Sequence, residues 1–406
     1  MKTLIIGGGI AGSTLAYALR RYGHDAVVAE ARGSHRDTGG AFLYLAPNGI
    51  NALRAIGLGD VPSAAGGFEA SGMDFYNARG RRIAELDGSD DLERYGVRGM
   101  VLRRARLHAE LAEHAQAVGA TFQFNSRLVE LRHDPGGVEA VFEGGLALTP
   151  DVVIGADGIW STVRRLTWPD APKPSYNGIV DCGSWTEVDL PDTSRQQMYF
   201  GHRAFFGYTV KNKVAYWFTN LPRRDEPARN ELDRLDQDDW MANIRRLHEN
   251  DPAPIRAILH AARHSLGAWP LYDMPALDTW HTDRICLIGD AAHAVSPSTG
   301  QGASLAIEDA AVLAHWMQQE TDPRAVFEGF TADRKPRAEK IVRFGRQIGA
   351  RKVSSAAGNL FRDLTLGMFL RMGGKATAEQ YGYQYGYRVP DHSTSPPAAD
   401  PGAPNA

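Results

Sequence analysis

The sequence predicts an α/β protein in which a mainly parallel sheet is interrupted by an inserted antiparallel sheet and followed by a C-terminal helical region. The first 30 residues have the pattern of a β-α-β unit. Aromatic residues alternate along 197–220, as they do in paired strands. Helical patterns return over 302–317 and 324–352. With 406 residues, the chain is long enough for two domains.

The β-α-β unit begins with an apolar strand at Leu4–Ile6 and continues into a Gly-x-Gly-x-x-Gly motif that opens a predicted helix at 13–22. The first glycine of such a motif permits a tight turn, the second lets a pyrophosphate approach the backbone, and the third lets helix and strand pack closely. The helix N-terminus adds free N–H groups and a positive dipole end. The residues expected at the phosphates are Gly7, Gly9, Ile10, Ala11 and Gly12. The pattern predicts a Rossmann-like dinucleotide-binding domain; the alternative is a glycine-rich turn in an unrelated α/β protein.

Glu30 ends the second predicted strand, 25–30, about 20 residues beyond the glycines. A carboxylate at this position accepts hydrogen bonds from a ribose diol and repels a 2′-phosphate. FAD and NAD lack that phosphate, so both fit the site and NADP does not. The adjacent Ala31 and Arg32 are expected to belong to the same cofactor site.

Asp157 lies in a glycine turn after a short apolar strand at 151–155. On the pattern alone, its carboxylate could simply cap the helix that follows. The preceding region contains a glycine-rich loop that includes Gly40, helices predicted at 47–56 and 104–118, and strands predicted at 121–124, 128–132 and 138–142.

A later apolar strand, 283–288, also ends near a carboxylate, Asp290. The loop from Pro297 to Gly302 then leads into an alanine-rich helix at 302–317. The positive end of that helix would favour negative charge, such as the charge that an isoalloxazine ring gains at its N1/O2 edge on reduction. His293 beside this motif is interpreted as structural rather than catalytic.

The residue pattern changes between about 175 and 275, where aromatic residues become frequent and alternate along the chain on both sides of Lys211-Asn212-Lys213. This is the pattern of a β-hairpin. We therefore expect a nucleotide-binding domain at 1–174 and 276–350, an inserted substrate-binding sheet domain at 175–275, a helical region at 351–389 and a disordered tail at 390–406.

Composition excludes several classes of protein. The net charge of −3 does not indicate a basic surface of the kind that binds nucleic acid. Cys182 and Cys286 are the two cysteines, which suggests neither a metal site nor a disulfide framework and fits a reducing, cytoplasmic setting. No apolar run approaches the roughly 20 residues of a membrane span, and the first residues are too short for a signal peptide. The basic helix at 324–352 is interpreted as having a solvated face.

Together the three motifs, in this order and spacing, resemble the class A flavoprotein monooxygenases, which include p-hydroxybenzoate and salicylate hydroxylases and the tetracycline- and rifampicin-modifying monooxygenases. The resemblance covers roughly residues 1–350. It implies that Asp157 lies near the FAD pyrophosphate and the nicotinamide cofactor, and that Asp290 binds the ribityl chain. It also implies flavin contacts for Pro297, Gly300, Gln301, Gly302 and Arg104, and an adenine contact for Leu128.

This chain departs from the family pattern in the loop before Gly40. Many members carry an arginine there, and the nearest arginine here is Arg36, whose alignment is not fixed. Flavin-dependent halogenases share the fold but carry a WxWxIP motif, which is absent from this sequence. Halogenation is therefore not expected.

The resemblance implies a reaction cycle without a protein nucleophile. NADH or NADPH reduces FAD without a separate binding domain, O2 forms a flavin C4a-hydroperoxide, and one oxygen atom passes to an electron-rich carbon. The protein excludes water and orients the substrate, an aromatic or polycyclic small molecule. The sequence does not distinguish NADH from NADPH, nor does it give the oligomeric state.

The aromatic residues of the inserted sheet are the candidates for a substrate pocket, because such rings stack on flat ligands. Phe206 and Tyr208 lie on one predicted strand, and Tyr216 and Phe218 lie on the next. Plain sheet core is the alternative for each of them. The candidates for a catalytic role are His202, as a base on a phenol, Tyr208 and Pro297. The Tyr381–Tyr387 run resembles a tail of small family members, which either packs back on the core or covers the pocket entrance.

Two other functions remain open at this point. One is an FAD-dependent epoxidase, or an oxidoreductase that inserts no oxygen. The other is a flavin-bearing protein that only binds a small molecule. Oxidation of NAD(P)H with and without substrate separates these cases, because only an enzyme is stimulated by its substrate.

Overall fold

A computed structural model of the chain describes residues 1–34, 42–134, 137–228, 230–263, 266–349 and 374–389. The strands are β1 (Lys2–Ile6), β2 (Asp25–Ala29), β3 (Phe42–Leu45), β4 (Phe68–Glu69), β5 (Gly72–Asn77), β6 (Arg82–Asp87), β7 (Met100–Arg103), β8 (Thr121–Gln123), β9 (Leu128–Asp134), β10 (Gly137–Phe142), β11 (Ala147–Leu148), β12 (Val152–Gly155), β13 (Ser175–Glu187), β14 (Gln196–Phe200), β15 (Phe205–Lys211), β16 (Val214–Pro222), β17 (Gly267–Asp273) and β18 (Ile285–Leu287).

The helices are α1 (Ile10–Arg21), α2 (Pro47–Ala55), α3 (Val61–Ala64), α4 (Asp91–Tyr95), α5 (Arg104–Ala117), α6 (Thr162–Thr167), α7 (Gln237–Leu247), α8 (Ala253–Ala261), α9 (Asp290–His293), α10 (Gly302–Gln319), α11 (Pro323–Gly349) and α12 (Gly374–Tyr385). Short 3-10 turns lie at Leu232–Arg234 and Pro297–Thr299. Among the described segments, no helix is both long enough and apolar enough to cross a membrane.

The first sheet has the order β18-β12-β1-β2-β8, and all of its neighbouring strands are parallel. Its strands share one apolar cluster with helices that include α1 and α10, and all four residues of β12 are buried. Parallel strands that are covered by helices on both faces have uninterrupted apolar sequences, and this is why the sequence pattern predicted their positions. The predicted Rossmann-like domain is confirmed.

The second large sheet has the order β17-β13-β16-β15-β14-β5-β6. Its pairs are antiparallel except for β14 and β5, which are parallel. A tight hairpin turn joins β15 to β16 at Asn212 and Lys213, whose φ angles are 51° and 61°. The inserted sheet is confirmed, but β5 and β6 come from residues 72–87 and so extend it beyond the expected 175–275.

The two faces of this seven-stranded sheet contact different parts of the protein. Trp217 lies on the face that packs against α7 and α8. The residues on either side of it, Tyr216 and Phe218, point to the opposite face. There they contact Phe42 and Phe68 of a small sheet with the order β3-β7-β4. The small sheet therefore lies against the aromatic face of the large one.

The C-terminal tyrosine run packs back on the core. Arg337 of α11 donates hydrogen bonds to the carbonyl oxygens of Tyr383 and Gln384 at 2.7 and 2.8 Å. Tyr385 packs edge-on against Tyr95 with ring centroids 5.9 Å apart. Of the two arrangements that the sequence left open, packing on the core is the one observed. The tail at 390–406 lies outside the described residues.

Candidate active site

The three sequence motifs meet at one edge of the parallel sheet. Because β1, β12 and β18 run in the same direction, the loops at their carboxyl ends leave the sheet on the same side. A Cβ atom placed on Gly7 of the first motif would lie 2.5 Å from the carbonyl oxygen of Ala156 in the second. One placed on Gly289 of the third motif would lie 3.2 Å from Cβ of Ala11. The motifs therefore touch one another.

The glycines of the first motif have different surroundings. Gly7 has φ of 101°, and a Cβ atom on Gly12 would lie 2.0 Å from the carbonyl oxygen of Gly7, so the turn itself requires both glycines. Around Gly9, by contrast, no described atom lies within 4 Å of a Cβ position. Helix α1 begins there without a capping side chain and without an acidic residue in its first turn. This open cradle of N–H groups fits a pyrophosphate.

Glu30 is held in place beside this cradle. Its carboxylate accepts a hydrogen bond from the N–H of Gly8 at 2.8 Å and another from the N–H of Arg32 at 2.9 Å. Each oxygen uses one acceptor site and keeps others for hydroxyl donors. Glu30 and Ala31 are half-buried, whereas Arg32 is exposed. A fixed, partly accessible carboxylate in this position fits a ribose diol.

Helix α5 reaches the cradle from the other side. His108 Nε2 donates to the carbonyl oxygen of Gly8 at 2.5 Å. Arg104 lies four residues earlier, on the same helix face. It is exposed, and no carboxylate within the described segments pairs with it. Leu128, the first residue of β9, is buried. His108 was not predicted from the sequence, although its position four residues after Arg104 places both on one face of the predicted helix. Arg36 and Gly40 lie outside the described residues.

Asp157 has the contacts of a helix cap. Its carboxylate accepts hydrogen bonds from the Ser161 hydroxyl at 2.5 Å and from the N–H groups of Thr162 and Val163 at 2.6 and 3.1 Å. Burial raises the pKa of this carboxyl, while the three hydrogen bonds act in the opposite direction. The observed contacts are those of the capping alternative, and they fix the turn that touches Gly7.

Asp290 is the first residue of α9 and is exposed, and its carboxylate forms neither a hydrogen bond nor an ion pair with the described residues. Arg164 of α6 donates to the carbonyl oxygens of Ala291 and Ile159, at 2.7 and 2.6 Å, and so ties the second motif to the third. The Asp290 carboxylate is therefore accessible at the carboxyl edge of the parallel sheet, on a loop that Arg164 holds in place. Such a group can accept hydrogen bonds from a polyol.

The loop from Pro297 to Gly302 forms a 3-10 turn followed by Gly300, whose φ is 62°. Helix α10 begins directly afterwards, with no capping side chain and no acidic residue in its first turn. A Cβ atom on Gly300 would lie 3.4 Å from Cδ1 of Tyr44 on β3. The helix therefore directs its positive end, without compensation by a side chain, at the space beside β3.

A buried polar network supports this loop from behind. Asn48 Nδ2 donates to Gln301 Oε1 at 2.9 Å and to Glu308 Oε1 at 2.7 Å. Arg337 binds both oxygens of Glu308, at 2.8 and 2.9 Å. Burial alone would raise the pKa of Glu308, but the charges of Arg334 and Arg337 lower it. The loop is therefore fixed by a fully buried ion pair.

Asp309 holds the third motif in the same way. One carboxylate oxygen accepts from the N–H of Gly289 at 2.8 Å and from His293 Nε2 at 2.5 Å, and the other accepts from Arg334 Nε at 2.8 Å. Burial opposes ionisation, yet the charges of His293 and Arg334 lower the pKa of Asp309 to about 2. The pKa of His293 is raised, because Asp309 outweighs its burial. Its contacts are structural.

Sequence reasoning missed this network and misread part of α11. Arg334 and Arg337 are buried, so the interpretation of the basic helix as a solvated face is wrong for these two. The signal was present as Glu308 and Asp309, two adjacent acids inside an apolar, alanine-rich helix. Buried carboxylates require partners, and the basic helix α11, which packs against α10, supplies the cationic ones for Glu308 and the arginine for Asp309.

The structure does not bring the four predicted aromatic residues together. Phe206 and Tyr208 lie on the face that packs against α7 and α8, where Phe206 stacks on Trp217 at 5.7 Å. Tyr216 and Phe218 lie on the opposite face, because their strand positions alternate with that of Trp217. The expectation of one pocket lined by all four therefore needs correction: Phe206 and Tyr208 have the positions of sheet core.

His202 also lies among the contacts of the α7–α8 region. Its Nδ1 and its backbone N–H both bind Asp251 Oδ1, at 2.9 and 3.0 Å. The other oxygen of Asp251 binds His248 at 2.6 Å, and His248 in turn binds the hydroxyl of Thr219. These contacts tie His202 to the sheet's helical side and give it no contact with the three motif loops.

The chain is similar to proteins of known activity over most of its length. The sequence profile of the family described as "FAD binding domain" matches residues 1–345. Aurachin C monooxygenase/isomerase from Stigmatella aurantiaca is 31% identical over 359 residues, 86% of this chain and 89% of the relative. A 3-hydroxybenzoate 6-hydroxylase from Klebsiella oxytoca is 28% identical over 371 residues, 88% of this chain and 90% of the relative.

The similarity extends to the fold. The crystal structure of Klebsiella pneumoniae HpxO complexed with FAD and uric acid matches with a TM-score of 0.81 at 25% identity. The match covers 93% of this chain and 95% of that one.

Proposed function

Because this chain belongs to the FAD binding domain family and is an FAD-dependent monooxygenase, we propose that it hydroxylates an aromatic or polycyclic small molecule. NADH or NADPH would reduce its flavin. One observation supports this proposal above all. Three motif loops meet around the open glycine cradle, and strand β3 beside them also reaches the aromatic face of the seven-stranded sheet.

We assign the cofactor to the carboxyl edge of the parallel sheet. The cradle from Gly7 to Gly12 would hold the pyrophosphate, since Gly9 leaves the N–H groups of α1 accessible. Glu30 would bind the ribose, and Asp290 would bind the polyol chain. Arg104 would neutralise phosphate charge beside His108. The remaining acceptor sites of Glu30 and Asp290 and the N–H donors of Arg104 fit the polar parts of FAD.

When bound and reduced, FAD supplies the electrons that activate O2 for the insertion of one oxygen atom. The chain's own contribution near the reacting edge is electrostatic. The N-terminus of α10, preceded by the Gly300–Gly302 backbone, favours negative charge there. The buried pair of Glu308 and Arg337 keeps this loop in place through Asn48 and Gln301. Pro297 would add a rigid apolar contact that excludes water.

We assign the substrate to the space between this loop and the seven-stranded sheet. Strand β3 spans that space: Tyr44 lies beside Gly300, where a Cβ atom on the glycine would be 3.4 Å from the tyrosine ring, and Phe42, two residues earlier, contacts Tyr216 and Phe218. Two strand residues span about 7 Å, which is the scale of one aromatic ring. Half-buried aromatic side chains can stack on such a ring and exclude water from it.

The proposal is tested with the purified protein loaded with FAD. Oxidation of NADH and of NADPH, together with O2 consumption, is measured in the absence and presence of a panel of phenols and polycyclic aromatics. Stimulation of both rates by a substrate, with a hydroxylated product, supports the proposal. An epoxide product, or cofactor oxidation without oxygen insertion, supports the oxidoreductase alternative. Bound flavin without any stimulation supports the binding protein.

The aromatic contacts permit a sharper version of this test. Phe218→Leu reduces the ring area on the proposed substrate face, whereas Phe206→Leu makes the same change on the helix-facing side. If the substrate lies where we propose, Phe218→Leu raises KM or uncouples cofactor oxidation from product formation. Phe206→Leu leaves the KM close to that of the unaltered protein.

A further inference from the structure

Arg103 is a half-buried cation at the junction of the small sheet and the seven-stranded sheet. It is the last residue of β7 and lies opposite Phe42 of β3. Its guanidinium carbon is 3.9 Å from the ring centroid of Trp185 and 5.9 Å from that of Tyr216. Trp185 and Tyr216 are register partners in β13 and β16, so they share one face of the large sheet. Arg103 thus bridges the two sheets beside the proposed substrate space.

The charge of Arg103 has no counterion within the described residues. Its guanidinium forms neither a hydrogen bond nor an ion pair there, although it could donate five hydrogen bonds. The carboxylate of the neighbouring strand, Glu69, pairs with Arg98 at 3.2 Å instead. The buried Arg334 and Arg337, by contrast, both have carboxylate partners. A half-buried cation without such a partner favours an anionic ligand.

The Arg103 guanidinium carbon lies over the Trp185 ring, and none of the guanidinium N–H groups has a hydrogen-bond partner among the described residues. A guanidinium that lies over an aromatic ring is held by its flat face, and its N–H groups point outwards in its own plane. Two parallel N–H groups can then bind both oxygens of a planar oxyanion. Trp185 and Tyr216 therefore act as a support that orients this fork before any ligand arrives.

The sheet face next to Arg103 is flat. Phe218 lies one row further along β16 and has glycine on both neighbouring strands, Gly183 and Gly207. A Cβ atom on Gly207 would lie 2.3 Å from Cε1 of Phe218, so the ring lies directly over that glycine. A ring lying flat on the sheet, one row from a stacked guanidinium, matches a planar molecule whose aromatic ring and oxyanion are in one plane.

We propose that Arg103 is a specificity-determining residue that binds the oxyanion of a planar aromatic substrate, while the substrate ring stacks on the Tyr216–Phe218 face. This inference rests on the proposed function, because it takes that face to be the substrate site. The oxyanion is a carboxylate attached to the ring or an ionised ring oxygen, which have the same charge and the same hydrogen-bond acceptors.

The test measures binding to the FAD-loaded protein through the perturbation of flavin absorbance, so it needs no turnover. Benzoate is compared with benzamide, and 4-nitrophenolate with 4-nitroanisole, to separate the two sources of the oxyanion. We expect at least one anion to bind roughly 10- to 100-fold more tightly than its neutral partner, as is typical of charge-assisted bidentate contacts. Arg103→Gln should abolish this preference and leave the affinity for the neutral probe nearly unchanged.

Two further variants separate specificity from folding. Arg103→Lys keeps the charge but not the fork, and it should retain part of the preference. Arg106→Gln removes an exposed charge three residues away on α5 and should change neither affinity. Thermal unfolding of each variant verifies that the fold is retained.

Three outcomes would overturn the inference. The first is an unchanged anion preference in Arg103→Gln. The second is an equal loss of affinity for anionic and neutral probes, which would indicate a packing role only. The third is that no probe perturbs the flavin of the unaltered protein. Failure of the proposed function is distinct, since it would appear as a protein that holds FAD and binds aromatic anions but inserts no oxygen into any substrate.

Discussion

Gly9 and Gly12 belong to the same motif, yet alanine at these two positions should have opposite effects. Gly9 has φ of −69° and ψ of −166°, an extended conformation that alanine adopts without strain. Since no described atom lies within 4 Å of its Cβ position, Gly9→Ala should not destabilise the flavin-free protein. Reduced freedom of the unfolded chain should even stabilise it by about 0.4–1 kcal/mol.

The same methyl group would occupy the space that the pyrophosphate needs. If it prevents one or two charge-assisted hydrogen bonds from the α1 N-terminus, each worth about 1.5–3 kcal/mol, the affinity for FAD should fall by roughly 10- to 20,000-fold. Gly12→Ala instead places a methyl group 2.0 Å from the carbonyl oxygen of Gly7 and should destabilise the protein even without FAD.

The assay combines thermal unfolding of the flavin-free proteins with titration of FAD by the quenching of its fluorescence. The reasoning predicts a stable Gly9→Ala protein with weak FAD binding and an unstable Gly12→Ala protein. It would be refuted if Gly9→Ala bound FAD as tightly as the unaltered chain. It would also be refuted if Gly9→Ala lost stability to the same extent as Gly12→Ala.

The remaining predictions concern the buried network and the two faces of the large sheet. Asp309→Asn removes one of the two carboxylates that pair with the buried Arg334, together with the carboxylate that binds His293, and should lower the free energy of unfolding by about 3–5 kcal/mol, measured with denaturant, whereas Glu328→Gln in an exposed pair should change it little. The pKa of Asp309 is lowered from about 3.9 to about 2, so its contribution to stability is complete above pH ~4 and is lost as the pH falls towards 2. Asp309→Asn should remove this loss of stability at low pH, and the same pH dependence of the free energy of unfolding in the variant would contradict the assignment. Phe206→Leu should lower the free energy of unfolding by about 1–3 kcal/mol while Phe218→Leu lowers it less, and equal losses would contradict the assignment of the two faces.

Local sequence patterns were sufficient to predict the elements of the parallel sheet and the helices that cover it. β1, α1 and β2 are adjacent in sequence, and their apolar runs and glycines indicated both their type and their boundaries to within a few residues. The start of α10 at Gly302 agrees with the sequence pattern for a similar reason, since a glycine-rich loop precedes a long apolar run.

The second sheet was only partly predictable because its pairing is non-local. β5 joins β14 across more than 100 residues of sequence, and nothing in residues 72–87 indicates that partner. Alternation also could not tell which aromatic residues face helices. Both faces of this sheet are covered, so Trp217 and Phe218 have equally apolar surroundings in the sequence although they point in opposite directions.

The candidate site shows the same division. Gly7, Gly9, Glu30 and Asp290 were recognisable because each lies within three residues of a strand end. Arg103 was not recognisable, because its importance comes from Trp185, which is 82 positions away in the sequence and adjacent only in the fold. Contacts between two sheets of different parts of the chain cannot be read from the spacing of residues along it.

The central claim is that FAD bound at the meeting point of the three motif loops inserts oxygen into an aromatic molecule. The measurement that tests it most directly is mass analysis of the product formed with isotopically labelled O2, NAD(P)H and a substrate that stimulates cofactor oxidation. One labelled oxygen atom in each product molecule is the predicted result. A product without the label, or one labelled only from water, would contradict the claim.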